Sequence, residues 1–223
     1  MEFIDGPSLK TRLSEEPLTS EEVAKVGIAI ADALDYAHRQ GMLHRDIKPA
    51  NIMFTGDGQP VLADFGIAKM VDLSALTATG AMVGTPAYMA PEIGLGQGAG
   101  APADIYSLGI VLYHMITGCL PFESDTPMGM VMQHINDKPK PPTELVDIPL
   151  ELEAVILKAM EKQPEARYPN AREMADALRT LMGIPLPTSR IMETPPVPSK
   201  DMSSRDVQES TGAELEEEEA SPL

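Results

Sequence analysis

The stretch that decides the fold is "HRDIKPAN", His44 to Asn51, followed shortly by "ADFG", Ala63 to Gly66. Between the two lie the short apolar pieces "NIMF" and "PVLAD", separated by the turn-forming "TGDGQ". This reads as a small hairpin with one polar run at each end. Asp46, Lys48, Asn51 and Asp64 are thereby gathered around it. An aspartate can accept a hydroxyl's proton and aim its oxygen. A lysine beside it offers a point charge to a phosphate and favours the charged form of the acid. Asn and Asp supply hard oxygens, which Mg2+ takes in small number while keeping waters. Phosphoryl transfer needs these parts and little covalent chemistry from the protein.

Outward from the hairpin the pattern is helical. Thr19 with Glu22 three residues on is a capping box. Val23, Val26, Ile30, Leu34 and Ala37 then recur at helical spacing up to Gly41, which predicts a helix over about 20–40. Residues 67–103 are rich in Gly, Ala, Thr and Pro without a period. So long a loop inside a compact domain is usually functional. Past residue 104 comes "IYSLGIVLYHMITGCL", interrupted by Ser107, His114 and Thr117. A membrane span wants about 20 cleaner apolar residues, so the stretch predicts a buried core helix. Three more helices are expected. One starts at Pro127, one covers "IPLELEAVILKAM", and one covers "NAREMADALRTLM" with Asn170 as cap, Glu173 as box partner and Gly183 as stop.

The totals bound the rest. At 223 residues with 43% hydrophobic content the chain suffices for one well-buried domain and a tail. Its net charge of −17, of which residues 184–223 hold −6, argues against nucleic acid or an anionic membrane as partner. That last stretch, with its prolines, serines and the run Glu216 to Glu219, is predicted to be a disordered acidic tail. No signal-peptide pattern opens the chain. The single cysteine, Cys119, cannot form an internal disulfide, which fits a cytoplasmic, reducing setting. His38 and His134 fall on predicted helices with no Cys or His partner at metal spacing, so no ligand role is expected of either.

These motifs, with "GTPAYMAPE" at 84–92, "YAHRQGMLHRDIKPANIM" and "DIYSLGIVLYHMITGCLPF", resemble the larger, C-terminal lobe of a bacterial-type serine/threonine protein kinase. The resemblance covers nearly all of residues 1–183. It implies a mainly α fold: a hinge remnant at 1–7, a kinase C-lobe at 8–183 with a small β-hairpin carrying the catalytic and metal loops, and the tail at 184–223. It implies ATP and Mg2+ as cofactors and serine or threonine hydroxyls of proteins as acceptors. By resemblance Asp46 is the catalytic base, Lys48 the γ-phosphate contact, and Asn51 and Asp64 the Mg2+ ligands. Ile47 replaces the family's Leu in the catalytic loop. Glu92 is expected to pair with Arg167, and Asp104 to accept backbone hydrogen bonds from the catalytic loop. The stretch from Asp64 to Glu92 reads as an activation segment. Its Thr77 and Thr79 lie where the family places switch phosphates, and Arg45 is placed to hold such a phosphate bidentately.

The opening "MEFIDG" matches the family's hinge between two lobes, with Met1 as gatekeeper. Glu2 and Ile4 fall where the backbone meets adenine, with Met53 and Ala63 beneath the ring. A small β-rich lobe is then expected before residue 1, and this chain is expected to lack it. The one Gly-rich stretch, "GLGQGAG" at 94–100, follows Pro91-Glu92 rather than a strand, so it is expected to be a loop and not a phosphate cradle. Losing one preorganised donor commonly costs roughly 10²–10³ in rate, so residues 1–223 alone are expected to be weakly active or inactive. Two readings stay open: a partial kinase chain, and a non-catalytic lone C-lobe that docks other proteins.

Overall fold

A computed structural model describes residues 5–15, 18–65 and 86–186. In chain order the elements are α1 (Leu9–Leu13), α2 (Ser20–Arg39), β1 (Ile52–Phe54), β2 (Pro60–Leu62), α3 (Pro91–Gly94), α4 (Ala101–Thr117), α5 (Pro127–Asn136), α6 (Leu150–Ala159) and α7 (Ala171–Leu181). Single 3₁₀ turns at Pro49–Asn51, Pro86–Tyr88, Pro142–Glu144 and Pro164–Ala166 connect them. The fold is mainly α, as expected. Helix α4 is the centre of the core: 13 of its 17 residues are buried, on all sides, as a helix without a polar face must be.

The long amphipathic helix α2 packs on α4 and α7. Its N-terminus carries the full reciprocal capping box, Thr19 accepting from the Glu22 N–H while Glu22 accepts from the Thr19 N–H at 3.0 Å. Its end is turned by Gln40 and by Gly41 at φ 75°, a left-handed conformation that glycine adopts without strain. Close contact with α7 depends on Gly27, where a Cβ would stand 2.7 Å from Leu178 Cδ1.

The hairpin is antiparallel, with Ile52 opposite Leu62, Met53 opposite Val61 and Phe54 opposite Pro60. A third piece of chain lies along it: Ser8 bridges Met53, and the Phe54 N–H donates to the Pro7 carbonyl at 3.0 Å. Gly6 permits this approach, since a Cβ there would meet the Phe54 carbonyl oxygen at 2.0 Å. The segment that follows the opening "MEFI" is thus sewn to the strand carrying Met53.

Four details differ from the sequence reading. Helix α1 was not anticipated, because five residues are too few to display a period; its signal is Ser8, whose side chain accepts from the Thr11 N–H. The aperiodic loop ends earlier than residue 103. A 3₁₀ turn and α3 form within it, and α4 begins at Ala101, with Pro102 in its first turn, directly after Gly100. The 94–100 stretch is a loop for most of its length, with Gly96 and Gly98 at positive φ, but it does open a helix. At α7 the Asn170 cap is present, yet Glu173 binds the Asn170 side-chain amide at 3.2 Å in place of a backbone N–H.

Candidate active site

Residues 44–51 form a tight loop between α2 and β1, and its three central polar side chains meet. Lys48 Nζ donates to Asp46 Oδ2 at 2.8 Å, and Asn51 Nδ2 donates to the same oxygen at 3.0 Å and to the Asp46 carbonyl at 2.7 Å. Asn51 is buried within the 3₁₀ turn Pro49–Asn51, which fixes its direction. Because its amide nitrogen is spent on Asp46, its Oδ1 is the atom left as an oxygen donor.

The second motif is tied to the first through backbone. The Ala63 N–H donates to the Asn51 carbonyl at 2.8 Å, continuing the hairpin ladder, and the Ala63 carbonyl accepts from His44 Nε2 at 3.0 Å. The Asp46 N–H donates to His44 Nδ1 at 3.3 Å, so the ring carries its hydrogen on Nε2. His44 is fully buried and packs edge-on to Phe65 with centroids 4.9 Å apart. One imidazole thus spans both loops. Asp64, the next residue after Ala63, is exposed at φ 58°, and Arg45 is exposed at φ 64°. Left-handed backbone at a non-glycine residue costs free energy and persists only where the surroundings enforce it. Both outliers flank this cluster.

Asp104, in the first turn of α4, supplies that enforcement at Arg45. Its Oδ2 accepts from the His44 N–H at 2.9 Å and its Oδ1 from the Arg45 N–H at 2.8 Å. Oδ2 also meets His38 Nε2, at the end of α2, at 2.8 Å. Three elements therefore converge on one buried carboxylate. His38 belongs to no group of three or more His, Cys, Asp or Glu that could hold a metal among the described residues. Its hydrogen bond to Asp104 is a connection that sequence spacing does not reveal. Arg167 is fully buried and meets Glu92 bidentately, at 2.8 Å for each oxygen.

Met53 lies in β1 and Ala63 just beyond β2, on the same hairpin. Glu2, Ile4, Thr77 and Thr79 lie outside the described residues, as do Met1 and the predicted tail from residue 187 onward. No helix among the described residues is long and apolar enough to cross a membrane. A cleft of about 620 Å³ opens beside Lys48, lined also by α1, by the turn at 86–88 and by His114 of α4; sequence reasoning did not anticipate it.

A family model described as the protein kinase domain matches residues 1–178. The chain belongs to the protein kinase family. It is 44% identical over 180 residues to a probable serine/threonine-protein kinase of Clostridium acetobutylicum, a match covering 80% of this chain and 27% of the relative. It is 42% identical over 183 residues to a probable serine/threonine-protein kinase of Clostridium perfringens, covering 81% and 27%. With the serine/threonine-protein kinase PknB of Mycobacterium leprae the identity is 38% over 196 residues, covering 86% and 32%. The chain spans about a third or less of the length of these relatives. Asn51 and Asp64 offer oxygen donors, and Lys48 a cation, of the kinds that could hold a magnesium-bound nucleotide.

Proposed function

We propose that this chain is the catalytic large lobe of a serine/threonine protein kinase, transferring the γ-phosphoryl group of ATP to hydroxyls of protein substrates in a reducing cytoplasm. The observation that carries the reading is the hydrogen-bonded unit of Asp46, Lys48 and Asn51. Asp46 receives the hydrogen bond of an incoming serine or threonine hydroxyl, aims the oxygen and takes its proton. Lys48 holds the carboxylate in place and lends positive charge to the moving phosphoryl group. Asn51 Oδ1 and the Asp64 carboxylate would hold Mg2+, which suits an ion content with few protein ligands. When bound, the metal and nucleotide supply the phosphoryl group and neutralise charge on its oxygens. Asp104 and His44 keep the two loops in register, and Arg45, on the same loop, would hold a phosphate on Thr77 or Thr79. Met53 and Ala63, with the backbone of Glu2 and Ile4, would form the adenine seat.

The sequence holds no G-x-G-x-x-G run. We therefore propose that transfer needs a small lobe joined ahead of residue 1, and that the chain by itself transfers little. The test is a chimaera in which a small lobe bearing a Gly-rich loop and its lysine is fused ahead of Met1. Such a chimaera should phosphorylate a serine-containing protein, and Asp46→Asn should cut the rate by about 10²–10⁴. A chimaera in which Asp46→Asn is as active as its parent refutes the reading.

A further inference from the structure

The cleft of about 620 Å³ is within the size range of a ligand site and shares Lys48 with the cluster at Asp46. Lys48 Nζ is 2.8 Å from Asp46 Oδ2, so a peptide whose hydroxyl reached Asp46 would enter the cleft within roughly two or three residues, at ~3.3 Å each. Buried Pro49 and Ala87 and half-buried Leu13 and Leu120 line it with apolar surface, and none of the described residues that line it is acidic. Lys48 is balanced by Asp46, whereas the exposed Lys10 forms no ion pair among the described residues. His114 adds no charge at neutral pH, because burial lowers its pKa, and it is held by the Tyr88 hydroxyl at 3.0 Å.

Resting on the phosphoryl-transfer reading, we infer that this cleft selects the protein substrate: it takes an aliphatic side chain flanking the acceptor hydroxyl, welcomes a carboxylate beside Lys10, and rejects Arg and Lys. The occupant follows from continuity with the Asp46 cluster and from charge. An aliphatic group fills the apolar lining, an acid finds the Lys10 ammonium, and a guanidinium would meet two lysines with no carboxylate among the described residues that line the cleft.

The test uses the whole chain with methyl-labelled leucine, read by NMR, so that it needs no phosphoryl transfer. Two dodecapeptides each hold one serine, flanked on both sides by Leu and Glu in one and by Arg in the other. The Leu-Glu peptide should shift the Leu13 and Leu120 methyls saturably and bind at least tenfold tighter than the Arg peptide. Lys10→Glu, on an exposed side chain outside the Asp46 cluster, should narrow that ratio to threefold or less, and Lys10→Ala should fall between. Equal affinity for the two peptides, silent Leu13 and Leu120 methyls with both, or an unchanged ratio in Lys10→Glu each overturns the inference. If the methyls stay silent while Asp46→Asn still abolishes transfer in the chimaera, the cleft inference alone has failed. If the methyls respond as expected but Asp46→Asn leaves transfer intact, it is the catalytic reading that falls.

Discussion

Breaking the pair between Glu92 and Arg167 should be among the most destabilising single changes available in this fold. All five donors of the guanidinium are used: two on Glu92 at 2.8 Å each, and the rest on the carbonyls of Pro102, Glu161 and Lys162 at 2.8, 2.7 and 3.0 Å. The Arg167 side chain has no solvent exposure and that of Glu92 only 9%. Replacing Glu92 by Leu leaves a buried cation with two donors unmet. Removing one partner of a buried pair costs about 3–5 kcal/mol, which at a urea slope of about 2 kcal/mol per molar moves the unfolding midpoint down by roughly 1.5–2.5 M. Arg167→Met should cost at least as much, because it strands the carboxylate and deprives three carbonyls of a donor at once. The double variant Glu92→Leu with Arg167→Met removes both charges, so its loss should be smaller than the two single losses combined by about 2 kcal/mol. Urea unfolding of the four proteins measures all of this. If each single change costs under 1 kcal/mol and the two simply add, the pair behaves as a surface contact and the burial argument is wrong.

Three further perturbations test other parts of the fold. Asp104→Asn keeps the shape but turns an amide group toward the backbone N–H groups of His44 and Arg45, so it should lower stability by about 1.5–3 kcal/mol; an unchanged melting temperature would contradict the role given to that carboxylate. Burial, helped by Lys162, pushes the His134 pKa down to about 4 from 6.5. The unfolded chain then takes the proton first, so stability present above pH 6.5 should drain away as pH falls toward 4, by at most about 3 kcal/mol; titrated unfolding should show a steeper slope in wild type than in His134→Gln. Gly6→Ala forces a Cβ into the Phe54 carbonyl, so hydrogen exchange at the Phe54 N–H, bonded to Pro7, should accelerate well beyond that of the α4 amides, and equal protection would deny the close approach.

The parts of the fold that could be read from sequence are those whose information is local. The capping box at Thr19 and Glu22, the apolar rhythm of α2 and the turn at Gly41 all act within a few residues, and the helix has the bounds they dictate. The hairpin announced itself through two apolar runs around a turn. Helices α1 and α3 stayed hidden because five and four residues cannot carry a period, and because packing rather than propensity holds such short helices. Gly, Ala and Pro disguised the start of α4 as loop, although Pro102 in its first turn is itself a helix signal.

The site divides along a similar line, for a further physical reason. Asp46, Lys48 and Asn51 sit within six residues of one another, so their meeting follows from the turn that joins them. Asp104 could be placed only through the family resemblance. The bond of His38 leaves no sequence signal, because its partner lies 66 residues away and only the crossing of α2 and α4 joins them. Yet that distant pair governs the local one. Without the Asp104 carboxylate, nothing in the sequence of residues 44–51 favours the left-handed turn at Arg45, since arginine gains nothing there to offset the strain. The motif at 44–51 is therefore a demand that the core helix must meet. Its residues can be recognised from the sequence, but their geometry exists only once α4 has docked.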